Sequence, residues 1–188
     1  ELSLSDGFVI TVLFWIVLSV SGSIPFLLFG FSVVDAFFES MSGITTTGAT
    51  VIAGLDDLPK SLLIYRQLLQ WLGGMGLIVL AIAVMPLLGI GGGQLFKTQT
   101  PGPMNEQRLT PRITSTARAL WSIYFVLTVL CIFAYRLAGM NNFDAVSHAF
   151  STVSIGGFST HDLSIGFFNS LSIEIVCITF MLLSAMSF

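Results

Sequence analysis

Asp35-Ala-Phe-Phe-Glu-Ser-Met-Ser-Gly-Ile-Thr-Thr-Thr-Gly-Ala-Thr50 is the stretch on which the reading of this chain turns. It is too short and too polar to cross a bilayer, which takes about 20 apolar residues. It is also too apolar, at Phe37, Phe38, Met41 and Ile44, for a free loop. Its first half has helical character with Asp35 placed as an N-cap, and its second half is a hydroxyl-rich strip ending at Gly48. Irregular backbone at membrane depth is tolerated only where protein buries it or water is enclosed. The pattern predicts a segment that dips in and returns, a short helix followed by an extended strip, as in a pore loop.

A second copy lies further along. Adding 109 aligns Asp35 with Asp144, Ala36 with Ala145, Ser42 with Ser151, Ile44 with Val153, Thr45 with Ser154, Gly48 with Gly157 and Thr50 with Ser159. Shared order and spacing argue for an internal repeat.

Long charge-free intervals flank both copies, and a charge near the bilayer centre costs about 2.5 to 3.5 kcal/mol on insertion scales. Gly7 to Val34 is the first such interval. The second, Gln67 to Phe96, lies between Arg66 and Lys97. The third, Ala119 to Tyr135, carries Trp121, Tyr124 and Tyr135 like an aromatic belt. Ser164 to Phe188 is apolar apart from Glu174 and reads as a fourth crossing cut short. Acidic Glu1 and Asp6 argue against a signal peptide for the opening segment, and Gly22 with Pro25 predict a kink in it. The expected fold is all-α and integral to the membrane, built of repeated helix, re-entrant pore loop and helix units around a pseudo-symmetric ion pore. Its divisions are 1–88 for the first unit, 89–112 for a cytoplasmic linker and 113–188 for the second unit.

Composition agrees with a membrane chain. Of 188 residues 54% are hydrophobic and 9% charged, against roughly one-quarter charged in soluble domains. A net charge of -3 provides no general basic field for nucleic acid. Cys131 and Cys177 sit in apolar runs and read as small core hydrophobes, with no C-x-x-C pair for zinc. Lys97, Arg108, Arg112 and Arg118, four of the seven basic residues, fall between Gly89 and Arg118, which places that linker in the cytoplasm. Asp35, Glu39, Asp56, Asp57, Asp144, Asp162 and Glu174 then face outward, either as solvated loop residues or as a field that enriches cations. Both units share one orientation and can surround a common axis as parallel repeats.

The chemistry of the strips follows from their glycines. Carbonyls that replace the water shell of a cation must turn to one axis, a backbone that Gly adopts freely. Gly48 and Gly157 supply that freedom. The expected ligands are the carbonyls of Thr46, Thr47 and Gly48 and of Ile155, Gly156 and Gly157, with the hydroxyls of Thr45 and Ser154 toward the inner cavity. Oxygen-only ligands suit a hard monovalent ion.

Ser42-Gly-Ile-Thr-Thr-Thr-Gly-Ala-Thr50 and Ser151-Thr-Val-Ser-Ile-Gly-Gly-Phe-Ser-Thr160 resemble the filter strips of the Trk/Ktr/HKT superfamily of cation transporters, its bacterial Trk members in particular. The resemblance covers nearly the whole chain. It implies four repeats derived from a potassium-channel-like unit, each with one filter Gly, of which two are present here. The remaining two repeats of the same pore, and a gate loop in the third, are then missing from this sequence. A Gly in every strip goes with potassium in that superfamily, and Ser in the first strip with sodium in some plant members, so Gly48 implies potassium ion as the transported substrate. The resemblance further implies potassium uptake across a bacterial cytoplasmic (inner) membrane, a homodimer in the lipid bilayer and a cytosolic nucleotide-binding regulatory subunit. Symport and potential-driven flow both fit, since 100 mV supplies about 2.3 kcal/mol per charge.

Other readings explain less. A hydrolase would recruit His148, Ser159, His161 and Asp162, but Gly157-Phe-Ser159-Thr lacks the second Gly of a G-x-S-x-G elbow. Gly73-Gly74-Met-Gly76 and Gly89-Ile-Gly-Gly-Gly93 do not fit a dinucleotide or P-loop fingerprint; the first reads as close helix packing and the second as a helix end. A non-conducting assembly module explains the crossings but not the matched strips. Arg66 and Glu174 read chiefly as interfacial snorkelling residues.

Overall fold

The structure, a computed structural model, describes residues 4–84 and 109–187. Among them every regular element is helical: α1 (Leu4–Leu28), α2 (Val33–Ile44), the 3-10 turn Leu55–Asp57, α3 (Lys60–Val84), α4 (Leu109–Leu137), α5 (Asn142–Val153), the 3-10 turn Ser164–Phe168 and α6 (Leu171–Ser187). Most of linker 89–112 lies outside the described residues, as does the second Gly run; its last four residues open α4.

The order long helix, short helix, strip, long helix occurs twice, and the backbone repeats the offset of 109 in detail. Gly30 and Gly139, with φ 89° and 108°, end α1 and α4 alike. Phe31 N donates to Phe26 O at 3.2 Å and Met140 N to Tyr135 O at 3.0 Å, the six-to-one closure of a left-handed helix end. The short helices start alike too. Ser32 Oγ accepts from Asp35 N, and Asn141 Oδ1 accepts from Asp144 N. The N-caps are therefore Ser32 and Asn141, and Asp35 is not one: it sits three residues in, where its carboxylate accepts the Ser32 hydroxyl at 2.7 Å. Each aspartate carboxylate in turn accepts from its cap's side chain, which ties the cap to the first helical turn.

Among the described residues two helix windows, Thr11–Leu28 and Ala117–Leu137, have the length and apolarity of crossings, and Leu171–Met186 is a shorter apolar helix. Large apolar side chains such as Phe8, Val12, Val17, Phe125, Val126 and Phe133 stand exposed along α1 and α4, as lipid-facing surfaces require. α1 runs through Pro25 as one helix, and Tyr65 donates its hydroxyl to Gly22 O at 2.8 Å beside the ladder that proline interrupts. α3 begins at Lys60, not Gln67, because Arg66 is inside the helix bundle. Tyr124 and Tyr135 are 1% and 0% exposed, so they form no belt. Their hydroxyls bond Trp71 O at 3.0 Å and Thr152 Oγ1 at 2.7 Å.

Small residues let the backbones meet. A Cβ on Gly73 would fall 1.9 Å from Ile44 O, so α3 passes directly against the C-terminal end of α2. The Gly73 run thus acts in helix packing. Each unit has its own core, around Phe26, Ile44, Leu62 and Leu69 in the first and Tyr135, Met140, Ala149 and Val153 in the second. Cys131 and Cys177 are free thiols, the first buried in the second core and the second packed against it.

Candidate functional site

Each short helix ends on a strip that turns back. α2 stops at Thr45, whose hydroxyl donates to Met41 O at 2.7 Å, and α5 stops at Ser154, whose hydroxyl donates to Ser151 O at 3.2 Å. These hydroxyls cap helix ends; they are not turned wholly toward a cavity. The next N–H groups bend back to the helix: Thr46 to Gly43 O and Thr47 to Ser42 O, matched by Ile155 to Thr152 O and Gly156 to Ser151 O.

Hand alternates along both strips. Thr46 and Ile155 each have φ 55°, Gly48 and Gly157 have 78° and 85°, and Thr47 and Gly156 between them stay negative. Ordinary strands send successive carbonyls to opposite faces. Alternating hand removes that constraint. Glycine takes positive φ without cost, but Thr46 and the β-branched Ile155 hold it against steric strain of about 1–3 kcal/mol each. Residue type announces the two glycines and conceals the strained pair.

The oxygens can be oriented from their peptide planes. In a trans peptide the carbonyl opposes the N–H. Thr47 N and Gly156 N face the helix ends, so the oxygens of Thr46 and Ile155 face away from them. Phe158 N faces Gln70, so Gly157 O faces away from Gln70. Among the described residues none donates a hydrogen bond to the carbonyls of Thr46, Thr47, Gly48, Ile155 or Gly157. Gly156 departs from the expected set: its oxygen accepts Gln70 Nε2 at 2.7 Å. The strips touch, since a Cβ on Gly48 would fall 2.0 Å from Gly156 O.

A polar network lies against the strips. Glu39 and Arg66 are 1% and 0% exposed and paired at 2.6 Å. Thr50 donates to Glu39 Oε1 at 2.8 Å, and Arg66 Nη1 donates to Ser159 O of the second unit at 3.2 Å. Glu39 is thus no outward solvated acid and Arg66 no snorkelling residue, because each cancels the other's desolvation across 27 positions. Asp144, 4% exposed, is also removed from the outward-facing set. Asp56 and Glu174 remain exposed. Gln70 was missed as well, because counting charges passes over amides; its place one turn beyond Arg66 on the same face was the available signal.

In the second unit His148 Nε2 and Ser159 Oγ meet at 2.9 Å. The pair suggests a hydrolase dyad but is buried, and it stands at the same offset as Glu39 and Thr50, tying strip to helix. Beyond the strips, His161 joins the units. It bonds Asp56 through Nδ1 and Asp144 Oδ2 through Nε2 at 3.3 Å, and stacks on Phe167 with centroids 3.5 Å apart. Asp162 receives Gly54 N and Leu55 N at 3.1 Å.

The hydrogen bond from His161 holds the Asp56 carboxyl below its ordinary range. Burial would raise Asp144, but bonds from Thr160, His161 and Asn141 outweigh it and lower it too. A depressed carboxyl pKa stabilises above the unfolded value and is lost as pH falls through the folded one. Protection of the amides over residues 54–57 and 160–163, taken against the intrinsic exchange rate at each pH, therefore persists through neutral and mildly acidic pH. It is lost only below the ordinary carboxylate range of about 4. His161→Ala lowers that protection at neutral pH; unchanged protection in that variant removes the clasp.

The family model for the TrkH cation transport protein matches residues 1–188. The Trk system potassium uptake protein TrkH of Halomonas elongata is 60% identical over 191 residues, covering 100% of this chain and 40% of that protein. Its Escherichia coli K12 namesake is 52% identical with the same coverage. The crystal structure of the potassium transporter TrkH from Vibrio parahaemolyticus superposes with a TM-score of 0.81 at 57% identity, over 96% of this chain and 36% of that one. This chain therefore spans about 40% of the length of the curated relatives it matches. Matched over all its residues and carrying twice the helix, re-entrant strip and helix unit, the chain belongs to the TrkH family of membrane cation transport proteins.

Proposed function

We propose that this chain supplies the first two of four repeats of a potassium uptake protein in a bacterial cytoplasmic membrane. Residues 1–88 and 113–188 are the repeats, and 89–112 the linker on the cytoplasmic side. The reading is carried by the five main-chain oxygens of Thr46, Thr47, Gly48, Ile155 and Gly157, which accept no hydrogen bond from the described residues, on two strips in contact. Gly156 belongs to the same strip and shares its oxygen with Gln70.

A potassium ion entering a filter gives up its water shell, and carbonyl oxygens already turned toward it replace that shell. The C-terminal ends of α2 and α5 behind the strips add a negative potential. The cost of desolvation is offset within the strips, and strain at Thr46 and Ile155 is the structural expense of aiming them. The relatives' names and the glycines at 48 and 157 support potassium as the substrate. Two further repeats close the ring around the axis. The complete protein pairs as a homodimer, and its basic linker meets a cytosolic nucleotide-binding regulatory subunit.

The test is ion flux through the full-length protein in liposomes. Potassium passes, and Gly48→Ser at equal protein content lowers that flux and raises the sodium share. Identical potassium and sodium fluxes in the two proteins remove the filter from this position.

A further inference from the structure

We infer that Gln70 is a positioning residue for the second strip, so that the aim of one repeat's oxygens is set by a side chain from its neighbour. The inference rests on the filter reading above. Gln70 is 0% exposed on α3 of the first unit, one of three polar side chains, with Arg66 and Gln67, buried along that helix. Its amide spans Gly157: Nε2 donates to Gly156 O at 2.7 Å and Oε1 accepts Phe158 N at 3.0 Å. One side chain thereby pairs with the strip as an adjacent strand would, and fixes the peptide planes on both sides of Gly157. The Gly157 carbonyl, opposed to the Phe158 N–H, is held facing away from Gln70.

The contact also explains why strip two reads Ile-Gly-Gly where strip one reads Thr-Thr-Gly. Gly156 does not adopt positive φ, so it is not required for backbone freedom. A Cβ there would fall 2.3 Å from Gln70 Cδ and 2.5 Å from Oε1. The space that a side chain at position 156 would need is taken by the Gln70 amide, whereas the matching Thr47 of the first strip carries its side chain exposed. Arg66, one turn earlier on α3, continues the brace: it bonds Ser159 O and lies 4.4 Å from the centroid of the Phe158 ring.

The arrangement is not repeated by α6. Leu62 N and Leu63 N bond Pro59 O as Ile173 N and Glu174 N bond Ser170 O, an offset of 111 that places Cys177 opposite Arg66 and Met181 opposite Gln70. Neither can donate an amide or guanidinium hydrogen. Among the described residues the brace joins the first unit to the second and has no copy on α6, and Gln70→Met copies the second unit's residue into the first.

The experiment measures potassium and sodium flux through full-length protein in liposomes, at equal inserted amounts, for the parent, Gln70→Met and Gln70→Glu. Losing both bonds of the amide lowers the potassium-to-sodium ratio about tenfold in Gln70→Met, the scale of two ordinary hydrogen bonds. Gln70→Glu keeps the shape and the acceptor for Phe158 N but sets a carboxylate against Gly156 O. Its ratio is low at neutral pH and rises on acidification, as the protonated acid regains a donor, whereas the parent ratio is flat. Parental ratios in Gln70→Met overturn the inference. So does a Gln70→Glu ratio without pH dependence, which also decides the matter if Gln70→Met fails to insert. Gly48→Ser run alongside separates the two levels: if it changes flux and Gln70 variants do not, the brace fails and the filter stands.

Discussion

Alanine at Gly48 reduces potassium flux through the full-length protein by roughly a hundredfold, whereas alanine at Gly157 costs no more than about tenfold. Both glycines hold positive φ, 78° and 85°, so backbone strain of about 1–2 kcal/mol applies equally. Strain alone does not decide the outcome, because Ile155 tolerates φ 55° with a β-branched side chain. Space does. A Cβ at Gly48 lies 2.0 Å from Gly156 O and 3.2 Å from its carbonyl carbon, atoms of backbone that cannot rotate away. At Gly157 nothing stands within 4 Å. The Gly48→Ala methyl must therefore push the strips apart, and it displaces a carbonyl that Gln70 also holds. Tracer flux at equal protein content measures both variants. Equal losses at the two positions would show that contact between strips is not what the first glycine protects.

Much of this arrangement was legible in the order of residues. The offset of 109, the paired short helices and the strips ending in Gly48 and Gly157 all leave local marks, because glycines at positive φ and crossings impose residue types at fixed places, whereas the first short helix is capped by Ser32, three residues before the aspartate expected there. The buried charges did not. A rule that treats each charge as a boundary cannot distinguish Arg66 in water from Arg66 against Glu39, and the partner lies 27 residues away. The repeat itself concealed the role of Glu39, since His148 stands opposite it with different chemistry and an equivalent role. Each reaches the hydroxyl two residues beyond the filter glycine, Thr50 or Ser159. Tyr124 and Tyr135 were misplaced for a related reason. Aromatic residues near helix ends suit the interface, yet their hydroxyls found partners inside. Local sequence thus conveyed which segments form the strips, while the side chains that hold those strips became visible only once helices of different units were packed together.

The largest loss of stability follows from separating the buried ion pair. Arg66→Met removes two bonds to Glu39 Oε1, at 2.6 and 2.8 Å, and the bonds to Thr50 and Ser159. The Glu39 carboxylate, 1% exposed in the parent, keeps the Thr50 hydroxyl and Val51 N as its donors among the described residues. Stranding one member of a buried pair costs about 3–5 kcal/mol, far above the roughly 0–1 kcal/mol of an exposed one. Adding Glu39→Gln to Arg66→Met removes the stranded charge while keeping an amide oxygen for Thr50 and Val51. The double variant is therefore more stable than Arg66→Met alone, though below the parent because Ser159 O and the Phe158 ring have lost their cation. Unfolding of the full-length protein in detergent, followed for parent, both single variants and the double, yields the coupling between the two sites. A double variant no better than Arg66→Met would assign the loss to packing around α3 and leave the charge of Glu39 without the part given to it.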